Sequence, residues 1–179
     1  MSKAAKSSSA QAALPEVLPA IDARDFRTAL GNYATGVTII TAQTGDKRIV
    51  GLTCNSFASV SLNPAMVLWS LGILSPSMQA FQEATYFAIN VLGAHQIALA
   101  QQFARSSTDK FAGVTWHPGL GGAPVIDDCV AHFQCSNAAR YYGGDHVIFL
   151  GAVEAFAHVR KAPLLFAQGG FGLFEPSTA

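Results

Sequence analysis

Charge is scarce in this sequence. Only 12% of its 179 residues are charged, and 11 Lys and Arg balance 11 Asp and Glu to a formal net charge of zero. Without a basic excess no face can neutralise phosphates in bulk, which argues against a nucleic-acid partner. Few charges beside 50% hydrophobic residues leave apolar surface in need of cover, so a homodimer is expected. Cysteine is sparse too. Cys54, Cys129 and Cys135 are odd in number and form no CxxC pair, which excludes a disulfide framework and fits a reducing compartment. No apolar run approaches the ~20 residues of a spanning helix, and the N-terminal stretch lacks a signal core. The expectation is a soluble cytoplasmic protein with no membrane partner.

Familiar catalytic signatures are missing as well. The five histidines never fall at zinc-ligand spacing such as HExxH. There is no GxSxG elbow to raise a nucleophile and no GxxxxGK[ST] phosphate loop. The segment GLGGAP at 119–124 lacks the third glycine of a dinucleotide fingerprint, and Pro124 stands where a helix should open. It reads as a flexible loop.

What is present is mostly strand. Residues 1–21, rich in Ala, Ser and Pro, are expected to form a mobile tail, leaving 22–179 as one domain. Asp22 is placed to cap a first helix that carries Phe26, Leu30 and Tyr33 at helical spacing and is broken by Gly36. Residues 36–43 are β-branched and end at the turn signal Gly45-Asp46. Residues 47–62 read as one second strand, in which Gly51 marks a bulge or close backbone approach. A turn at Asn63-Pro64 leads to a buried strand over 65–71. Ser75 as N-cap and Pro76 in the first turn predict a short helix. A strand over 85–93 and an amphipathic helix over 94–107 follow. Two long strands are divided by Gly143-Gly144-Asp145, and residues 162–174 close the chain. Six or more strands with few short helices predict a mainly antiparallel barrel with helical plugs rather than a doubly wound sheet.

The unusual stretch is Thr53-Cys54-Asn55-Ser56, four small uncharged polar residues between apolar segments, with Ser59 and Ser61 beyond. Along a strand Thr53 and Asn55 share one face, and Cys54 and Ser56 the other. Such residues commonly satisfy a barrel rim or a subunit interface. Grouped together, they suit a flat heterocycle with hydrogen-bonding edges, such as the pyrimidine ring of a flavin, covered by an apolar wall that includes Trp69. Ser75 and Ser77 at a helix start offer N–H groups to a phosphate. Few charged residues stand near this position in the sequence, which implies modest affinity and an exchanging ligand.

These motifs, with TCNSFASVSLNP, SPSMQAF, DKFAGV and GDHVIFLGAV in this order, resemble the short-chain flavin reductases of two-component monooxygenases. The resemblance covers nearly everything beyond residue 22. It implies a mainly β fold, the FMN-binding split barrel, antiparallel with a few flanking helices and assembled as a homodimer. It implies hydride transfer from NADH or NADPH to FMN or FAD, and a separate monooxygenase component that receives the reduced flavin. The cofactor-binding residues implied are Thr53, Cys54, Asn55, Ser56, Ser59, Trp69, Ser70, Leu71, Ser75, Ser77, Lys110, Phe111 and Phe171. Ser75 and Ser77 would lie at the phosphate, with Lys110 and Phe111 beside it. His146 occupies the position of a catalytic-site histidine, orienting nicotinamide or flavin rather than serving as an obligate acid. The chain departs from many relatives in carrying Phe166 and Phe171 where tyrosines stand, which removes phenolic hydrogen bonds from the nicotinamide side. A tightly flavinated electron carrier and a non-catalytic flavin-binding barrel would use the same features.

Overall fold

The computed structural model describes residues 20–177. The expected mobile tail lies almost wholly outside the described residues. The first helix, α1 (Ala23–Leu30), is capped by Asp22, whose carboxylate accepts the N–H groups of Arg24 at 3.0 Å and Asp25 at 2.8 Å. It ends at Gly31 rather than at Gly36; beyond it Asn32 and Tyr33 make only tighter bonds to Ala29 and Leu30, and the Gly31 carbonyl accepts the Gln168 N–H at 2.7 Å.

The strands that follow are β1 (Thr35–Gly36), β2 (Thr38–Gln43), β3 (Ile49–Cys54), β4 (Ala58–Leu62) and β5 (Ala65–Gly72). Next come α2 (Met78–Glu83), β6 (Tyr86–Val91) and α3 (Ile97–Ala104). The second half holds β7 (Trp116–Pro118), β8 (Pro124–Ile126), the long pair β9 (Ala131–Gly143) and β10 (His146–His158), then β11 (Leu164–Ala167) and β12 (Gly170–Leu173).

Seven strands form one antiparallel sheet in the order β3-β2-β6-β9-β10-β5-β4. Its two edges, β3 and β4, are consecutive in the chain and joined only by Asn55, Ser56 and Phe57. Three residues reach about 10 Å. The sheet must therefore curl until its edges meet, giving a barrel split along the β3–β4 corner. The single strand read over 47–62 is thus two strands, and the polar quartet ends the first and begins the corner.

The barrel interior is aromatic. Trp69 stacks on Phe149 at 4.5 Å and 11°, with Phe81 edge-on at 4.9 Å and Phe87 at 5.9 Å. Strand β2 is buried along nearly its whole length because both its faces are covered. Ile40 and Ala42 join this interior, whereas Val37 and Ile39 join an outer cluster with Leu92, Ala100, Phe103 and Leu164. Gly51 allows the outer layer to close. A Cβ there would stand 2.6 Å from Phe103, so the close approach expected at this glycine is real.

Helix α3 is shorter than the predicted 94–107 and is pinned by the Thr53 hydroxyl, which donates to the Ala100 carbonyl at 2.6 Å. Residues 119–124 are a fixed turn rather than a flexible loop: Gly122 donates to Gly119 O at 3.0 Å, and Leu120 N–H to the Gln134 side chain at 2.8 Å. The β9–β10 turn holds Gly144 at φ 67°, the left-handed geometry a tight hairpin demands.

Candidate functional site

Where β3, the β5–α2 turn, the end of α3 and the segment 105–111 converge, the surface opens into two contiguous hollows. The first, about 330 Å³, is walled by Leu52, Leu71 and Phe103, with Thr53, Ser75 and Arg105 at its polar side. The second, about 500 Å³, runs along Ile49, Val50 and Phe111 to Lys47 and Arg48. Pro76, Ser77, Ser107 and Lys110 line both, so they form the waist of one groove.

The waist is held rigidly. Lys110 Nζ donates to the Phe103 carbonyl at 2.8 Å, and partial burial lowers the pKa of this lysine. Gln102 Nε2 donates to the carbonyls of Lys110 at 2.9 Å and Ala112 at 3.0 Å, fixing the segment against α3. Phe111 meets Phe103 edge-on at 5.0 Å and Trp116 at 6.0 Å.

Ser75 is not the N-cap of α2. Ser77 takes the cap position without a side-chain hydrogen bond, while the Ser75 hydroxyl accepts the Ser77 N–H at 3.3 Å. The Met78 N–H goes to the Ser75 carbonyl at 3.0 Å. Two N–H groups that sequence reasoning offered to a phosphate are thus occupied within the turn. Side chains supply the anion-binding character instead. Lys47, Arg48 and Lys110 outnumber Asp109 around the second hollow, which overturns the reading that few charges surround the site.

The residues expected to hold cofactor divide in two. Thr53, Leu71, Ser75, Ser77, Lys110 and Phe111 line the groove. The rest do not. Trp69 is fully buried inside the barrel and cannot wall a ligand site. Cys54 is buried, its thiol pKa raised by burial and its Sγ 3.0 Å from the Ser56 hydroxyl. Ser56 is spent on Ser70: its hydroxyl accepts the Ser70 N–H at 2.8 Å and donates to the Ser70 carbonyl at 3.1 Å. Asn55 and Ser59 are exposed on the β3–β4 corner and on β4, and line neither hollow. Phe171 packs against Phe166 at 5.7 Å in the outer cluster.

His146 begins β10 opposite Gly72, and its Nδ1 lies 2.7 Å from the Asp145 carboxylate. That pairing sets it one residue beyond Leu71, flanking the first hollow rather than lining it. Burial pushes Cys129 and Cys135 up to about 12, far from thiolate chemistry. Among the described residues no three His, Cys, Asp or Glu are gathered to hold a metal, and no helix is long and apolar enough to cross a membrane.

The donor set fits a flavin phosphate ester. An apolar-walled hollow adjoins a waist with one ammonium and two serine hydroxyls, the pairing of flat ring and anion that such a ligand requires. Lys47 and Arg48 were missed in the sequence. They stand more than sixty residues before Lys110, and only the β2–β3 turn brings them to it.

Comparison with known proteins agrees. Residues 30–174 match the flavin reductase like domain. The chain is 46% identical over 154 residues to the FMN reductase (NADH) SmoA of Agrobacterium fabrum, covering 86% of this chain and 87% of that protein. It is 40% identical over 159 residues to the reductase subunit HsaB of a flavin-dependent monooxygenase from Mycobacterium tuberculosis, covering 87% and 84%. The NADH:FAD oxidoreductase SgcE6 of Streptomyces globisporus, solved with NAD and FAD fragments, superposes with a TM-score of 0.83 at 37% identity, covering 90% of this chain and all of that one.

Proposed function

Because the chain belongs to the flavin reductase like family, we propose that it transfers hydride from a nicotinamide nucleotide to flavin at the groove around Lys110, supplying a separate monooxygenase component. The flavin contributes the ring that accepts hydride, and everything else required is positioning. Leu52, Leu71 and Phe103 exclude water from one side of the ring. Lys110, tied to Phe103, meets the phosphate with a charge already in place, and Ser75 and Ser77 add hydroxyls beside it. Thr53, pinned to Ala100, sets the strand against which the ring lies. His146, held by Asp145 beside the mouth, orients the nicotinamide.

The observation that carries this reading is the waist, where one lysine joins an apolar hollow to a cationic one. Initial rates of NADH and NADPH oxidation with FMN and with FAD, on protein stripped of flavin, test it. Oxidation that depends on added flavin is expected. No consumption above background with any of the four pairs would refute it.

The functional unit in this reading is a homodimer acting in the cytoplasm, where three unpaired cysteines stay reduced. Its support is α1, which is amphipathic yet buries no residue within one chain, leaving Phe26 and Leu30 exposed. Light scattering at micromolar concentration should give twice the chain mass.

A further inference from the structure

Helix α2 carries Ser77 to the groove, yet little within the helix holds it there. It is six residues long, too short to persist on its own hydrogen bonds, and the Ser77 side chain takes no part in capping it. Its position is set from outside. Met78, Ala80 and Phe81 are buried, and the Phe81 ring lies edge-on to Trp69 at 4.9 Å. The carbonyls at its far end are taken by strand β9.

That contact is made at an irregularity. Leu150 of β10 pairs with Ala139 and Gly151 with Asn137, so Ala138 is the extra residue of a β-bulge. The two side chains that reach α2 stand on either side of it. Asn137 Nδ2 donates to the Phe81 carbonyl at 2.9 Å and to the Ala84 carbonyl at 3.1 Å, and the Asn137 N–H donates to Thr85 O at 2.9 Å. Arg140 Nη1 donates to the Gln82 carbonyl. Both neighbours of the amide are carbonyls, which only accept, so its nitrogen must face them. Its Oδ1 is buried and receives no hydrogen bond from the protein. The donor half of Asn137 is the half in use, kept despite an unpaired acceptor.

Phe81 links this contact to the groove. Its carbonyl is held by Asn137, and its N–H donates to the Ser77 carbonyl at 3.1 Å. Two hydrogen bonds thus run from the bulge to the serine at the waist. The lysine side of the waist is built separately, since Lys110 is tied to Phe103 and Gln102 of α3.

We propose that Asn137, with Arg140 beside it, is a positioning residue for the flavin phosphate: it fixes α2 by its carbonyl end so that the Ser77 hydroxyl meets the phosphate together with Lys110. This rests on the flavin reading above and deepens it. Neither Asn137 nor Arg140 lines either hollow, so both act through α2 alone. Binding of the phosphate depends on a distant amide, and binding of the ring does not.

The test measures dissociation constants for FMN and for riboflavin, which has the ring without the phosphate, by fluorescence quenching. Asn137→Asp keeps the shape and removes both donors. It should weaken FMN binding about fivefold, the worth of one hydrogen bond, and riboflavin binding less than about twofold. In a Ser77→Ala background the same change should have no further effect on FMN, because the hydroxyl through which it acts is gone. Arg140→Ala should repeat the selective loss more weakly, and Arg140→Lys, which keeps a donor, should restore binding. That pair decides the matter if Asn137→Asp does not fold. Equal weakening of FMN and riboflavin, unchanged FMN binding, or a loss that adds to that of Ser77→Ala would leave Asn137 a scaffold residue only and overturn the proposal. Wild-type protein that binds neither compound would sink the flavin reading itself, a separate result.

Discussion

The Ser56 hydroxyl accepts the Ser70 N–H at 2.8 Å and donates to the Ser70 carbonyl at 3.1 Å, so one side chain clasps the β3–β4 corner to β5. Ser56→Ala should cost about 1 kcal/mol at this exposed site. Calorimetry should show a fall in Tm of roughly 2–4 °C. The dissociation constant for FMN should not change, because Ser56 lines neither hollow.

Gly51→Ala tests the outer layer. The added methyl would stand 2.6 Å from Phe103 and 3.3 Å from Phe111, the rings that wall the two hollows. Overpacking of this kind costs about 1–3 kcal/mol. Both chemical stability and flavin affinity should drop together, the second by displacement of Phe103. Unchanged affinity in a destabilised variant would detach this wall from the site.

Lys110 supplies a pH signature. Burial holds its pKa below the ordinary 10.5. Flavin mononucleotide binding should therefore be strongest below that lowered value and weaken as pH rises through it, earlier than for an exposed lysine. Riboflavin, which has no phosphate, should show no such slope, and Lys110→Met should abolish it. Stability runs the other way. The unfolded chain holds this proton more tightly, so stability rises with pH between the lowered value and 10.5.

Lys47→Gly tests the backbone of the β2–β3 turn. Relief of the left-handed backbone at φ 68° should stabilise the protein by about 1 kcal/mol in denaturant titration.

His146→Ala should raise the KM for NADH by about tenfold or less while sparing kcat, as loss of an orienting contact does. With the side chain half exposed and bonded to Asp145, stability should scarcely change. An equal fall in kcat and kcat/KM would instead assign His146 to the transition state.

Much of the architecture was legible in the sequence because its signals are local. The β-branched run at 36–43 became the buried β2, Gly143-Gly144-Asp145 became the hairpin turn, and Asp22 caps α1. What escaped depends on distant partners. The break after Cys54 is fixed by Ser70 on another strand, and nothing beside Ser56 announces it. Trp69 faces inward because β5 alternates buried and half-buried positions, which periodicity allows but does not orient. Lys110 and Leu71 were found through motif resemblance, and Ser77 through its place at a helix start. Lys47 and Arg48 occupy a turn whose bearing on Lys110 exists only after the sheet has curled.

Helix α1 carries one more implication. Its cap is sound, yet within a single chain it buries nothing, so one copy gives it little reason to persist. In the homodimer proposed above, the second copy provides that reason by mass action. Dilution towards the dissociation point should then unwind the first eight-residue helix before the barrel loosens, and the melting temperature should climb with protein concentration.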